Sequence, residues 1–180
     1  MVELERIRSG VSLEILDRPN PIRLNLGAGK KVVPGFKSFG YEESHDFKGD
    51  LRDLSQFADN SIDELMSIHT IEHVNRWQVP DMLSGWLRVL KPGGRLAVEC
   101  PDLIKCCKNI LKGLPRQEGI QGIFGEWELK DELMLHRHGW TPDEMRQVLH
   151  DAGFAKIKFV QPIYHGRRDH RDMRAEAVKP

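Results

Sequence analysis

Ile22-Arg23-Leu24-Asn25-Leu26-Gly27-Ala28-Gly29 is the stretch that decides the fold. Apolar and polar residues alternate over 22–26, the period of a strand, and Gly27-Ala28-Gly29 stops it. Glycines at such a turn let the backbone approach a ligand closely and leave amide N–H groups to donate. The position three after Gly29 is Val32, so the dinucleotide fingerprint GxGxxG is not met. A GxG alone reads as well as a structural turn as it does as a site.

Upstream, residues 1–20 are mixed and amphipathic and end in the turn signal Arg18-Pro19-Asn20-Pro21. Downstream, the patterning predicts strands near 36–41, 45–48, 62–68, 95–100, 155–160 and 173–178. Val79, Met82, Leu83, Trp86, Leu87 and Leu90 fall at helical spacing, and Lys91-Pro92-Gly93-Gly94 ends that helix. Asp102 caps a second helix running to Gly113. Thr141-Pro142-Asp143-Glu144 opens a third, with Thr141 as cap, Pro142 at the first turn and Glu144 completing a capping box. Residues 114–140 are poorly periodic and read as an inserted loop or lid. Strands alternating with helices, then two closing strands, indicate a mostly parallel α/β sheet with one antiparallel partner.

The 180 residues suit a single domain, and 39% hydrophobic with 30% charged residues is a globular balance. Lys+Arg and Asp+Glu each number 27, giving zero formal charge, so no global field recruits nucleic acid or an anionic membrane. Cys100, Cys106 and Cys107 contain no CxxC pair, which argues against a disulfide scaffold or a cysteine zinc site. Residues 1–10 lack the apolar core of a signal peptide and no apolar run reaches membrane-spanning length, so the expected location is the cytoplasm.

In such a sheet, ligands bind beyond the carboxyl ends of the strands, where strand order reverses. Four strand ends in series carry fitting groups: Asn25 to Gly29, then Glu42 or Glu43, which suit ribose hydroxyls, then Asp50-Leu51, which suits an adenine amino group, then His69-Thr70. Here the sequence resembles the class I S-adenosylmethionine-dependent methyltransferases, in particular their methyltransferase type 11-like members. The resemblance is carried by Leu24 to Lys31, Val33-Pro34-Gly35-Phe36, Asp59 to Glu64, His69-Thr70-Ile71-Glu72-His73 and Trp86 to Leu96. These blocks follow the family's order over about residues 22–103, with a weaker echo in 138–154 and 171–179.

The resemblance implies a Rossmann-like, seven-stranded, mostly parallel sheet with one antiparallel strand and helices on both faces. Residues 22–103 would be the cofactor-binding core and 114–140 a substrate lid, all within one domain, 1–180. It implies S-adenosyl-L-methionine as cofactor, released as S-adenosyl-L-homocysteine. Asn25, Leu26, Gly27, Ala28 and Gly29 would wrap its methionine portion and ribose, Asp50 and Leu51 would hold the adenine, and His69 would lie near the methyl group. Where the family has an acid closing the second strand this chain has Gly40, so Glu42, two residues later, is the ribose candidate. The stretch between the first two strands is short, which predicts that a full first helix is missing.

His69, Glu72 and His73 also match the HxxEH pattern of inverted zinc peptidases. That chemistry needs both histidines on one helical face, and His69 directly follows a predicted strand, so no metal is expected. His73, His69 and the lid-borne His136 are the candidate bases; His73 reads equally as a structural residue and His136 as an exposed loop histidine. Trp77 and Trp127 could line an acceptor pocket, whereas Trp86 reads as core. Arg167, Arg168, Arg171 and Arg174, interleaved with Asp169 and Asp172, read as a solvated hairpin. The expected acceptor is a small molecule or glycan precursor. The competing readings are a catalytically silent binding or assembly partner and, disfavoured by the failed fingerprint, a nicotinamide-linked oxidoreductase.

Overall fold

A computed structural model describes residues 21–29, 32–163 and 170–180. Its strands are β1 (Arg23–Leu26), β2 (Lys37–Gly40), β3 (Phe47–Lys48), β4 (Ile62–Ile68), β5 (Leu90–Pro101), β6 (Ala155–Val160) and β7 (Asp172–Val178). The helices are α1 (Val79–Val89), α2 (Leu103–Leu111), α3 (Ile120–Phe124) and α4 (Pro142–Asp151). The strands form one sheet in the order β3-β2-β1-β4-β5-β7-β6. β7 runs antiparallel to both of its neighbours and the other pairings are parallel, as the sequence predicts. The order reverses between β1 and β4, so the carboxyl ends of these two strands flank the place where this architecture takes a ligand.

Strand alternation gives the sheet two unlike faces. Leu24, Leu26, Phe39, Leu65, Leu96 and Val98 point to one, where Met82, Leu83 and Trp86 of α1 and Met145 and Leu149 of α4 close the main core. Asn25, Glu64 and Met66 point to the other. The crossovers from β1 to β2 and from β2 to β3 hold no helix among the described residues, matching the short spacing in the sequence. That face carries the ion pairs Arg23–Glu64, Arg95–Glu176 and Arg174–Glu99 beside a small apolar cluster of Val33, Met66, Ile68 and Ala97. Burial pushes the Glu64 carboxyl above its ordinary range despite Arg95 and Arg23 nearby. Residues 1–20 lie outside the described residues.

Three local expectations change. β5 begins at Leu90, because Gly93 (φ 75°) and Gly94 fold into an irregularity that stays paired: Gly93 N–H donates to Lys179 O and Lys179 N–H to Gly94 O, both at 2.9 Å. Thr141 caps α4 through Glu144 N–H (3.2 Å), yet the Glu144 carboxylate turns to Arg76 and His138 rather than closing a capping box. Arg171 and Arg174 are buried, not solvated: Arg171 Nε donates to Asp172 Oδ1 at 2.6 Å, and Arg174 bridges Glu99 and Glu176. Arg167, Arg168 and Asp169 lie outside the described residues. Asp102 caps α2 as expected, accepting from Ile104 N–H and Lys105 N–H. All three cysteines are free, Cys100 and Cys106 buried and Cys107 exposed. No helix among the described residues is long and apolar enough to cross a membrane.

Candidate functional site

The carboxyl end of the sheet has two rims. The first is the glycine turn after β1 with the loop after β3. Gly27 (φ 71°) and Gly29 (φ 52°) both take the left-handed conformation that glycine tolerates. A Cβ on Gly27 would lie 2.3 Å from Thr70 Cγ2, so only glycine lets this turn pack on the loop after β4, whereas a Cβ on Gly29 would meet none of the described residues within 4 Å. The amides of Gly27 and Ala28 are not free donors: both give their hydrogen bond to Phe39 O, at 2.9 and 3.3 Å. Asn25 does offer an acceptor. It is buried, its Oδ1 has no hydrogen-bond partner among the described residues, and with Val33, Phe36 and Ser38 it lines a cavity of about 370 Å3.

The loop after β3 is fixed from below by α1. Trp86, fully buried, donates from Nε1 to Leu51 O at 2.8 Å, and Arg88 donates to Leu54 O and Phe57 O. Trp86 is therefore core, as expected, and also the strut of Asp50-Leu51. Arg52 holds the Asp50 carboxylate through its backbone N–H and its Nε, each at 2.9 Å. Burial opposes that charge, but Arg52 and the Tyr41 hydroxyl outweigh it and keep Asp50 below its ordinary range. Glu42 lies on the exposed surface past β2, with Ser44 Oγ donating to it at 3.4 Å. Nothing acidic closes β2, since a Cβ on Gly40 would strike the His45 ring.

The second rim is the chain leaving β4, met by the 114–140 insertion. His69 ends β4 in a left-handed conformation (φ 49°). Its Nδ1 pairs with Glu72 Oε1 at 3.0 Å and its Nε2 with Asp172 Oδ2 at 3.2 Å. Burial works against its charge, but the two carboxylates prevail and push its pKa up to about 9, while His69 and Arg171 hold Asp172 at about 2. A histidine protonated at neutral pH and clamped on both nitrogens is a fixed cation. It does not fit the expected role of a base.

His73 and His136 stand differently. The insertion docks onto residue 72, with Arg137 N–H donating to Glu72 O at 2.7 Å, and this brings His136 edge-to-face with His73 at 4.8 Å between ring centroids. His73 Nδ1 contacts Leu135 O at 3.1 Å and His136 Nδ1 contacts Gly122 O at 3.0 Å. A carbonyl only accepts, so both Nδ1 atoms carry a proton, and in the neutral form of such a ring the lone pair sits on Nε2. Burial lowers the His136 pKa, the nearby Glu72 charge notwithstanding. Glu72 is 1% exposed and its Oε2 has no hydrogen-bond partner among the described residues. Its Oε2 is thus a buried, unspent acceptor beside two imidazoles.

The sequence placed Asn25 to Gly29, Asp50-Leu51 and His69 at strand ends, and the fold gathers them there. It does not bring Glu42 into contact with them. Sequence reasoning missed Tyr41 and Arg52 on Asp50, Thr70 against Gly27, and Asp172 on His69, a pair 103 residues apart with no local signal. Trp77 and Trp127 are exposed; the Arg116 guanidinium lies 4.8 Å from the Trp127 ring centre.

Residues 31–98 match the family described as a methyltransferase domain. No curated protein matches the chain. Among solved structures, a SAM-dependent methyltransferase from Thermotoga maritima is 19% identical, with 99% of this chain and 88% of that one covered at a TM-score of 0.63. A SAM-dependent methyltransferase from Archaeoglobus fulgidus is 15% identical, with 98% and 94% covered at 0.60. Haemonchus contortus phosphoethanolamine N-methyltransferase 2, solved with phosphomonomethylethanolamine and S-adenosylhomocysteine, is 13% identical, with 97% and 52% covered at 0.57. The matched segment and the seven-stranded sheet agree with the strand-end chemistry: residues 31–98 are similar to the methyltransferase-domain family, and the chain shares its fold with SAM-dependent methyltransferases.

Proposed function

We propose that the first rim holds S-adenosylmethionine and the second receives the methyl acceptor, a small molecule or glycan precursor bearing a nucleophilic oxygen or nitrogen. The observation that carries this reading is the buried Asn25 Oδ1, without a partner among the described residues, beside a glycine turn at which a Cβ on Gly29 would meet none of them within 4 Å. Asn25, Leu26, Gly27, Ala28 and Gly29 would hold the methionine and ribose portions. Asp50 and Leu51, braced by Trp86, would hold the adenine, and the exposed Glu42 would reach the ribose from the rim. The cofactor supplies a methyl group already activated on a sulfonium, so the protein's work is alignment and exclusion of water.

On the second rim, His69 acts as a fixed cation that orients Glu72, and the Nε2 atoms of His73 and His136 are placed to take the acceptor's proton. A neutral imidazole with its Nδ1–H spent on a carbonyl is the form such a base needs. The zero formal charge supports a small acceptor over a nucleic acid. The test is to incubate the protein with methyl-labelled S-adenosylmethionine and a cell extract, then separate low-mass and macromolecular fractions. Label in the low-mass fraction supports the reading. Label confined to protein or nucleic acid contradicts it.

A further inference from the structure

We propose that Glu72 Oε2, His73 Nε2 and His136 Nε2 form a site for a divalent first-row transition metal. One potential ligand atom from each of these three residues lies within 4.8 Å of the other two. A tetrahedral ion with bonds of about 2.0–2.1 Å sets its ligands about 3.4 Å apart, so closing on it takes about an ångström of side-chain movement. Three observations point to a ligand rather than to chance proximity. Glu72 is 1% exposed, and although His69 pairs with its Oε1, its Oε2 has no partner among the described residues. Both histidines give Nδ1–H to backbone carbonyls, the outer contact that fixes an imidazole for metal binding through Nε2. The two rings are also neighbours, with centroids 4.8 Å apart and planes crossed at 84° rather than stacked.

Two imidazoles and one carboxylate select zinc and its first-row neighbours over magnesium or calcium, which prefer all-oxygen shells. The HxxEH spacing of the sequence thus contributes two ligands, Glu72 and His73. His69 is taken out by its pairing with Glu72 and Asp172, and His136 from the insertion replaces it. His73 and His136 are only half-buried, leaving the ion open on one side. With the metal bound, His73 and His136 hold the ion instead of accepting a proton themselves; on the proposed function the fourth ligand is then the acceptor's oxygen, whose proton is more easily lost to solvent when metal-bound. The metal site itself does not depend on that reading.

The test titrates chelator-treated full-length protein with Zn2+, and separately with Co2+ read by its visible absorption. The expected result is one equivalent bound, with affinity falling about 100-fold or more in His136→Ala and His73→Ala. His138→Ala is the control, because its Nε2 is engaged by Glu144. Glu72→Gln adds a third ligand test if it folds. Equal zinc affinity in wild type, His136→Ala and His73→Ala, or no binding at all, overturns the site. S-adenosylhomocysteine binding to the metal-free protein is measured alongside. A protein that binds the nucleoside but fails to bind zinc defeats the metal site alone, and one that binds zinc but not the nucleoside defeats the proposed function alone.

Discussion

The two rims of the cleft are built by different physics. The first, residues 25–29 and 50–54, rests on neutral contacts: Thr70 against Gly27, and the Trp86 indole under Leu51 O. Its single strong charge pair, Asp50 with Arg52, joins residues two apart in the chain. The second rim, residues 69–73 with 135–138 and Asp172, is built from ionisable groups brought together across the fold. On the proposed function, the locally built rim is the part that meets the adenosyl ligand. On the proposed function, the long-range cluster of titratable groups is the part that meets the acceptor.

If the first rim hangs on the core, Trp86→Ala should cost about 3–5 kcal/mol in urea unfolding and weaken S-adenosylhomocysteine binding in the folded fraction. Trp86→Phe keeps most of the packing and loses the bond to Leu51 O, so it should cost about 1–2 kcal/mol. Wild-type affinity in Trp86→Phe would show that the strut is unimportant to the loop.

Asp172→Asn probes the second rim. It leaves the Arg171 and His69 cations buried with a weaker partner, which should cost up to about 3–5 kcal/mol at pH 7. The folded carboxyl titrates at about 2, below its ordinary 3.8. Its stabilising contribution is therefore full above about pH 4 and lost as pH falls through about 2, and the gap between wild type and variant should close over that window. A pH-independent gap would contradict the charge account.

The smaller tests lie away from both rims. Thr141→Ala, which removes the cap of α4, should cost about 1 kcal/mol with ligand binding unchanged. Glu64→Gln has the opposite sign. Burial raises the Glu64 pKa, so its ionised form opposes folding and the variant should gain stability at pH 8 and nothing at pH 4. Denaturant midpoints at the two pH values would show it.

What the sequence revealed follows the same division. The strand and glycine turn at 22–29, the cap at Asp102 and the helix start at Thr141 are set by neighbours within a few residues, and spacing alone finds them. The β5 start was misplaced because Pro92-Gly93-Gly94 has the chemistry of a stop, while pairing with Lys179 keeps the chain in the sheet. Arg171 and Asp172 look like surface charge in a polar run, and only the folded chain shows them buried beside His69. The His73–His136 contact depends on how an aperiodic insertion docks, which no local pattern encodes. The free amides expected of the glycine turn went instead to Phe39 O, because β2 lies alongside it.

The central claim, that the adenosyl ligand is held by the first rim independently of the second, is tested most directly by calorimetric titration of S-adenosylhomocysteine into wild type, Asp50→Ala and His136→Ala. The prediction is one-to-one binding to wild type, loss of that binding in Asp50→Ala and its retention in His136→Ala. A folded wild type that binds nothing, or an Asp50→Ala protein that binds as tightly, would contradict the account.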